Sequence, residues 1–186
     1  VYDADNLYIG AVMHDTDPTG ILGYQRQRDQ SLDSDDRFML ILDTFLDGRT
    51  AYFFETNPAG LMGDGLVRNT GYASINRAWD GIWEAQTSRS DVGWSAEIRI
   101  PFRTLNFDET SDVWGVNFQR TVRRKNEEII WSGYRRNQGL LRPIHAGRLT
   151  GLRNVTQGLG LEVVPYGAAS WRKQKGTSTS TPLDAG

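Results

Sequence analysis

The sequence predicts an all-β protein, an antiparallel β-sandwich of jelly-roll or immunoglobulin-like type with almost no helix. Three observations carry that expectation. Alternating apolar segments recur along the chain at short intervals, the pattern of strands buried on one face. Gly at 20 residues against Pro at 6 suits many strands joined by tight turns. The runs Asp36-Arg-Phe-Met-Leu-Ile-Leu-Asp43 and Thr50-Ala-Tyr-Phe-Phe-Glu-Thr-Asn57 flank a connection carrying Asp47-Gly48. That is a hairpin signal, because glycine reaches positive φ without steric cost.

Taken in order, the elements follow from alternation. Leu7, Ile9, Ala11 and Met13 interleave with Tyr8, Gly10 and Val12, giving a first strand near 6–14. The hairpin strands follow near 36–43 and 49–57, and further strands near 82–88 and 93–100. In the latter, Trp94, Ala96, Ile98 and Ile100 share one face, and Ser95, Glu97 and Arg99 the other. Residues 113–124 place Trp114, Val116 and Phe118 opposite Asn117, Gln119 and Thr121. Strands near 128–132, 147–152 and 159–166 complete the set. Pro101-Phe-Arg-Thr-Leu105 suits a single helical turn, with Pro at an early position. The stretches 15–35, 58–80 and 133–146 read as long loops, the places where a sandwich tends to carry function.

Composition narrows the function classes. Hydrophobic residues at 38% supply a core, and 186 residues suit one domain or one domain plus the start of another. A net charge of −2 gives no pull toward nucleic acid, which is not expected as a partner. Charge is uneven, however: acids crowd residues 1–64 and Arg and Lys crowd 119–175, so the two halves are expected to pair in one fold. The alternative is a basic stripe for phosphate or acidic sugar. The absence of Cys removes disulfides, thiolate metal sites and cysteine nucleophiles. No run of about 18 apolar residues offers a membrane-spanning helix.

Candidate chemistry sits mainly in the loops. Neither His14 nor His145 lies in a nucleophile motif, and no pair of carboxylates stands out for glycoside hydrolysis. Asp33, Asp35 and Asp36 offer the oxygen ligands a calcium ion requires, without the spacing of an EF-hand. Met13, Met39 or Met62 with a His is the combination that would hold haem. Flat aromatic rings cover the apolar faces of sugars while amides, carboxylates and Arg take the hydroxyls. Trp79, Trp131 and Tyr134 are the candidate rings, with Arg28, Asn57, Arg135 and Asn137 as polar partners. Trp94 and Trp114, on apolar strand faces, are expected in the core, and Trp83 suits either role.

Several longer stretches resemble one family. They are Tyr2-Asp-Ala-Asp-Asn-Leu-Tyr-Ile-Gly10, Asp35-Asp-Arg-Phe-Met-Leu-Ile-Leu-Asp43, Ala51-Tyr-Phe-Phe-Glu-Thr-Asn-Pro-Ala-Gly60, Trp79-Asp-Gly-Ile-Trp-Glu-Ala85, Gly93-Trp-Ser-Ala-Glu-Ile-Arg-Ile-Pro-Phe102, Trp114-Gly-Val-Asn-Phe-Gln-Arg120 and Gly147-Arg-Leu-Thr-Gly-Leu152. Together, over about residues 1–155, they resemble the family 9-like carbohydrate-binding module, and more closely the version that opens large bacterial outer-membrane or surface proteins. The resemblance implies a sandwich related to the dopamine-monooxygenase N-terminal type. It implies an oligo- or polysaccharide partner, calcium as a companion ion, and a clamp of two aromatics, although Leu32 stands where one clamp ring is expected. It further implies a cell-envelope location, strands preceding Tyr2, and a following membrane β-barrel region whose start, or the linker to it, is 156–186. Binding without turnover, in a protein tied to carbohydrate catabolism, is the function it favours. The alternatives are a structural or gating domain of the barrel, and part of an O-glycosyl hydrolase.

Overall fold

Ten strands build two antiparallel sheets in the computed structural model, which describes residues 1–133 and 135–158. They are β1 (Asn6–His14), β2 (Arg37–Asp43), β3 (Thr50–Thr56), β4 (Met62–Asn69), β5 (Ala73–Asn76), β6 (Glu84–Ser90), β7 (Gly93–Pro101), β8 (Val113–Val122), β9 (Glu127–Ile130) and β10 (Gly147–Thr150). The smaller sheet has the order β1-β7-β6. The larger runs β10-β8-β2-β3-β4-β5, and β9 shares the outer edge of β8 with β10. Helical structure among the described residues is limited to short 3-10 turns, one of them Phe102–Thr104, after Pro101. The expected strand at 159–166 and the bulk of the tail lie outside the described residues.

The alternation explains the core. On β7 the faces divide as the sequence predicts: Trp94, Ala96, Ile98 and Ile100 are buried, whereas Glu97 and Arg99 are exposed. They meet Phe38, Leu40 and Leu42 of β2, Tyr52 and Phe54 of β3, and Trp114 of β8 between the sheets. Trp114 is fully buried, with Phe107 tilted against it at 5.1 Å and Phe102 edge-on at 6.1 Å.

The larger sheet is buried on both faces at its centre. Its outer face carries a second cluster of Met39, Ile41, Ala51, Phe53 and Val67, and Leu140 from the 133–146 segment covers it. Asn117 fastens that segment: its amide Nδ2 donates to the Ser132 carbonyl at 2.9 Å, and its Oδ1 accepts the Ser132 N–H at 3.0 Å. Leu140 can therefore reach back over β2 and β3 rather than face solvent.

One expectation needs correction. Residues 58–80, read as a loop, contain β4 and β5, which extend the sheet beyond β3. Gly63-Asp64-Gly65 looks like a turn because Gly and Asp are depleted in strands. Here the glycines serve close approach on the outer face. Gly63 pairs with Glu55, and a Cβ on it would lie 3.0 Å from Glu55 Cγ. Gly65 pairs with Phe53, and a Cβ there would lie 2.6 Å from Ile75 Cγ2. Side chains of β3 and β5 thus share the space above β4.

The hairpin between β2 and β3 is held by the acids that flank it. Asp43 accepts the N–H groups of Asp47 and Gly48, and Asp47 accepts those of Arg49 and Thr50. Gly48 takes a φ of 67°, as the hairpin reading anticipates. Part of the charge asymmetry is met by pairing. Asp15, after β1, is forked by Arg124 and contacted by Arg120 at the far end of β8.

Candidate functional site

The sequence candidates occupy several separate places. Trp79 is half-buried and packs on Tyr52 at 5.0 Å and Phe54 at 5.9 Å, which makes it an extension of the core. Trp83 is buried and donates its indole N–H to Asp64 at 2.7 Å. Trp131 is 58% exposed at the open edge of the sandwich, tilted against Phe118 and lying over Gly147. β2 intervenes between the strand beneath Trp79 and the strand beneath Trp131. Tyr134 lies outside the described residues.

Arg28 and Asn57 act as braces. Arg28 joins the buried Asp64 carboxylate to Asp80 and to the Gly81 carbonyl. Asp64 titrates above its ordinary value because burial penalises its charge, even though Trp83 and Arg28 stabilise the anion. Asn57 is fully buried; its Nδ2 donates to the Gln25 carbonyl and to Asp35, and its Oδ1 accepts the N–H groups of Ala59 and Leu61.

The three aspartates considered for calcium sit in separate hydrogen-bond networks and do not gather into one group. Asp35 accepts the N–H groups of Tyr24 and Gln25, the Ser34 hydroxyl and the Asn57 amide, so its oxygens are already committed. Burial would raise its pKa, but those donors together hold it below the usual value. Asp36 is also buried; one oxygen accepts the Arg123 N–H at 2.7 Å, and burial raises its pKa. Asp33 is exposed and engages Ser31. Among the described residues, no group of three or more His, Asp or Glu is placed to hold a metal ion.

A concave site lies on the outer face of the larger sheet, between β5 and the 133–146 segment. It has a cavity volume of ≈ 450 Å³. Its floor is apolar, built from Met39, Phe53 and Ile75, with Leu140 and Leu141 on one wall. Around this floor stand Arg37, Arg77, Gln119, Glu128, Gln138 and Arg142. The register explains how the sheet contributes: Gln119, Met39, Glu55 and Gly63 form one row across four strands.

Glu55 anchors the polar side. It is 2% exposed, and its Oε1 meets Arg77 Nη1 at 2.7 Å. Its Oε2 is buried with no hydrogen-bond partner, and Arg37 Nη1 stands 3.8 Å away. Arg77 lies over the Phe53 ring, 5.2 Å from its centroid, so its charge is presented above an aromatic face. Arg135 and Asn137 sit on the 133–146 segment, both exposed. Between them and the wall, Gln138 accepts the Arg135 N–H at 3.3 Å. The sequence reading therefore finds the loop but not the sheet residues Arg37, Glu55, Arg77 and Gln119. Their available signal is an acid within β3, a strand otherwise apolar on both faces.

No family model and no curated protein matches the sequence. Solved structures do. A family 9 carbohydrate-binding module from Caldicellulosiruptor kristjanssonii, in complex with glucose, superposes with a TM-score of 0.53 at 15% identity, over 80% of this chain and 72% of that one. A module of the same family and organism, in complex with cellotriose, gives 0.54 at 14% identity, over 88% and 77%. The chain thus has the sandwich fold of the family 9 carbohydrate-binding modules.

Proposed function

We propose that this domain binds a carbohydrate chain, without turning it over, in the cavity on the outer face of the larger sheet. The observation that carries the reading is the cavity itself, an apolar floor ringed by Arg37, Arg77, Gln119, Glu128, Gln138 and Arg142, with Arg77 held in place by the buried Glu55. Sugar hydroxyls donate to the Glu128 carboxylate, and their C–H faces lie on partly exposed apolar surface such as Ile75 and Leu141. Arg37, Arg77, Gln119 and Gln138 supply donors for the remaining oxygens. The fold shared with modules solved with glucose and cellotriose supports the same class of ligand. Because Asp33, Asp35 and Asp36 do not gather into one group, the reading assigns no calcium ion to them.

In this reading the domain serves an exported cell-envelope protein that captures glycan for catabolism, joined to a membrane barrel region. Calorimetric titration with gluco-, xylo- and manno-oligosaccharides tests the binding. Saturable heat that Glu55→Gln diminishes supports the cavity; unchanged heat in that variant moves the site elsewhere.

A second reading, a structural domain contacting another part of the envelope protein, is favoured by one observation. Val12, Ile129 and Trp131 form an exposed apolar run beside the outer edge of β1. A folded sample silent toward every glycan, with assembly of the whole protein dependent on the domain, would favour that role.

A further inference from the structure

The charge around the cavity narrows the ligand further, and this step rests on the carbohydrate reading. Three arginines, Arg37, Arg77 and Arg142, line it against Glu128 and the underlying Glu55. Glu55 is contacted by Arg77 through Oε1 and approached by Arg37, so much of its charge is answered. Arg142 forms no ion pair among the described residues, and neither do Arg135 and Arg136 of the same segment. The whole 133–146 segment carries these three arginines and no acid. Of the three, Arg142 lines the cavity, opposite Arg37 of β2 and Arg77 just after β5.

A neutral sugar would leave Arg142 facing hydroxyl groups. A sugar acid would answer it: its carboxylate takes the guanidinium fork, whose planar geometry matches two oxygens, while its hydroxyls meet Glu128 and Gln119 on the rim. We infer that the cavity is selective for a uronic-acid-containing saccharide, with the carboxylate received at Arg142. The shared chemistry with sulfated glycans is negative charge, but the flat fork favours the carboxylate.

The experiment compares oligogalacturonate and oligoglucuronate with cellotriose and xylotriose by calorimetry at low and at raised salt. Sulfated oligosaccharide and polyglutamate serve as further arms. The expected result is at least about tenfold tighter binding of a uronate than of the neutral sugars, with a preference that shrinks as salt screens the charge. Arg142→Gln should remove most of that preference, and Arg142→Lys should restore only part of it, since lysine supplies charge without the fork. Circular dichroism of both variants reports whether the fold is kept. Equal or tighter binding of neutral sugars overturns the inference while leaving the carbohydrate reading standing. So does tighter binding of the sulfated ligand, or polyglutamate binding as tight as the uronate. No heat with any saccharide sinks the carbohydrate reading itself.

Discussion

Glu55 and Arg77 meet through a single oxygen: Oε1 lies 2.7 Å from Arg77 Nη1, while Oε2 is buried without a donor. The pair is possible because Gly63, across the ladder from Glu55, has no side chain to fill the space above β4. The result is a buried carboxylate that fixes Arg77 at the edge of the cavity.

Glu55→Gln tests this arrangement most directly. The amide keeps the shape but replaces a charged acceptor, and hydrogen bonds to charged groups are worth about 1.5–3 kcal/mol. Glycan affinity should fall about tenfold or more by calorimetry, with thermal unfolding little changed. A binding constant equal to the wild type would show that the Glu55–Arg77 pair does not shape the site.

Arg77→Ala should act on stability as well as on binding. Removing one partner leaves the buried Glu55 carboxylate to bear its desolvation alone. Arg77 is 40% exposed, so screening lowers the loss to about 1–2 kcal/mol. Chemical denaturation should show the loss, and the double variant Glu55→Gln/Arg77→Ala should recover part of it. Purely additive losses would mean that the two side chains do not interact.

Gly63 and Gly65 separate binding from folding. In Gly63→Ala the new methyl would crowd Glu55 Cγ and Oε1 at 3.0 and 3.1 Å, a flexible neighbour that shifts at modest cost. Reduced glycan affinity in a stable protein is expected. In Gly65→Ala the methyl meets Ile75 Cγ2 at 2.6 Å and the Asn76 carbonyl oxygen at 2.9 Å. Backbone cannot yield as easily, so the variant should lose about 1–3 kcal/mol of stability, the usual cost of overpacking. If both variants unfold at the wild-type midpoint, the close packing of β4 against β5 is wrong.

These positions show how far the fold is legible in the sequence. The strand faces of β1, β2, β3, β7 and β8 are written in local alternation, which by itself assigns Trp94 and Trp114 to the core they occupy. β4 is hidden because its glycines obey a tertiary demand, the crossing of Glu55, Ile75 and Arg77 above it, rather than a strand propensity. The cavity is hidden for a related reason. It forms only when the 133–146 segment returns over a sheet face that alternation alone would leave to solvent. Asp35 and Asn57 are legible as a polar cluster, but a sequence does not distinguish an internal brace from a ligand shell. The distinction lies in the Tyr24 and Gln25 N–H groups that fill Asp35.

The acid response should distinguish two populations of carboxylate. The Arg124 side chain, forked onto Asp15, holds that carboxyl at about 2 against an ordinary value of 3.8. A folded value below the unfolded one stabilises the protein above pH 3.8, and that contribution is lost as pH falls toward about 2. Asp36, Asp43 and Asp64 behave oppositely, because burial raises their folded values; protonation favours the fold as pH falls through those values. The unfolding midpoint should therefore hold or rise from neutral to mildly acidic pH and fall steeply below about 4. Asp15→Asn should be less stable than wild type at pH 5, and the gap should close toward pH 2 as wild-type Asp15 takes up its proton. Thermal unfolding of the two proteins across that range measures the gap. A difference that stays constant would mean the Asp15–Arg124 pairing does not govern the acid limb.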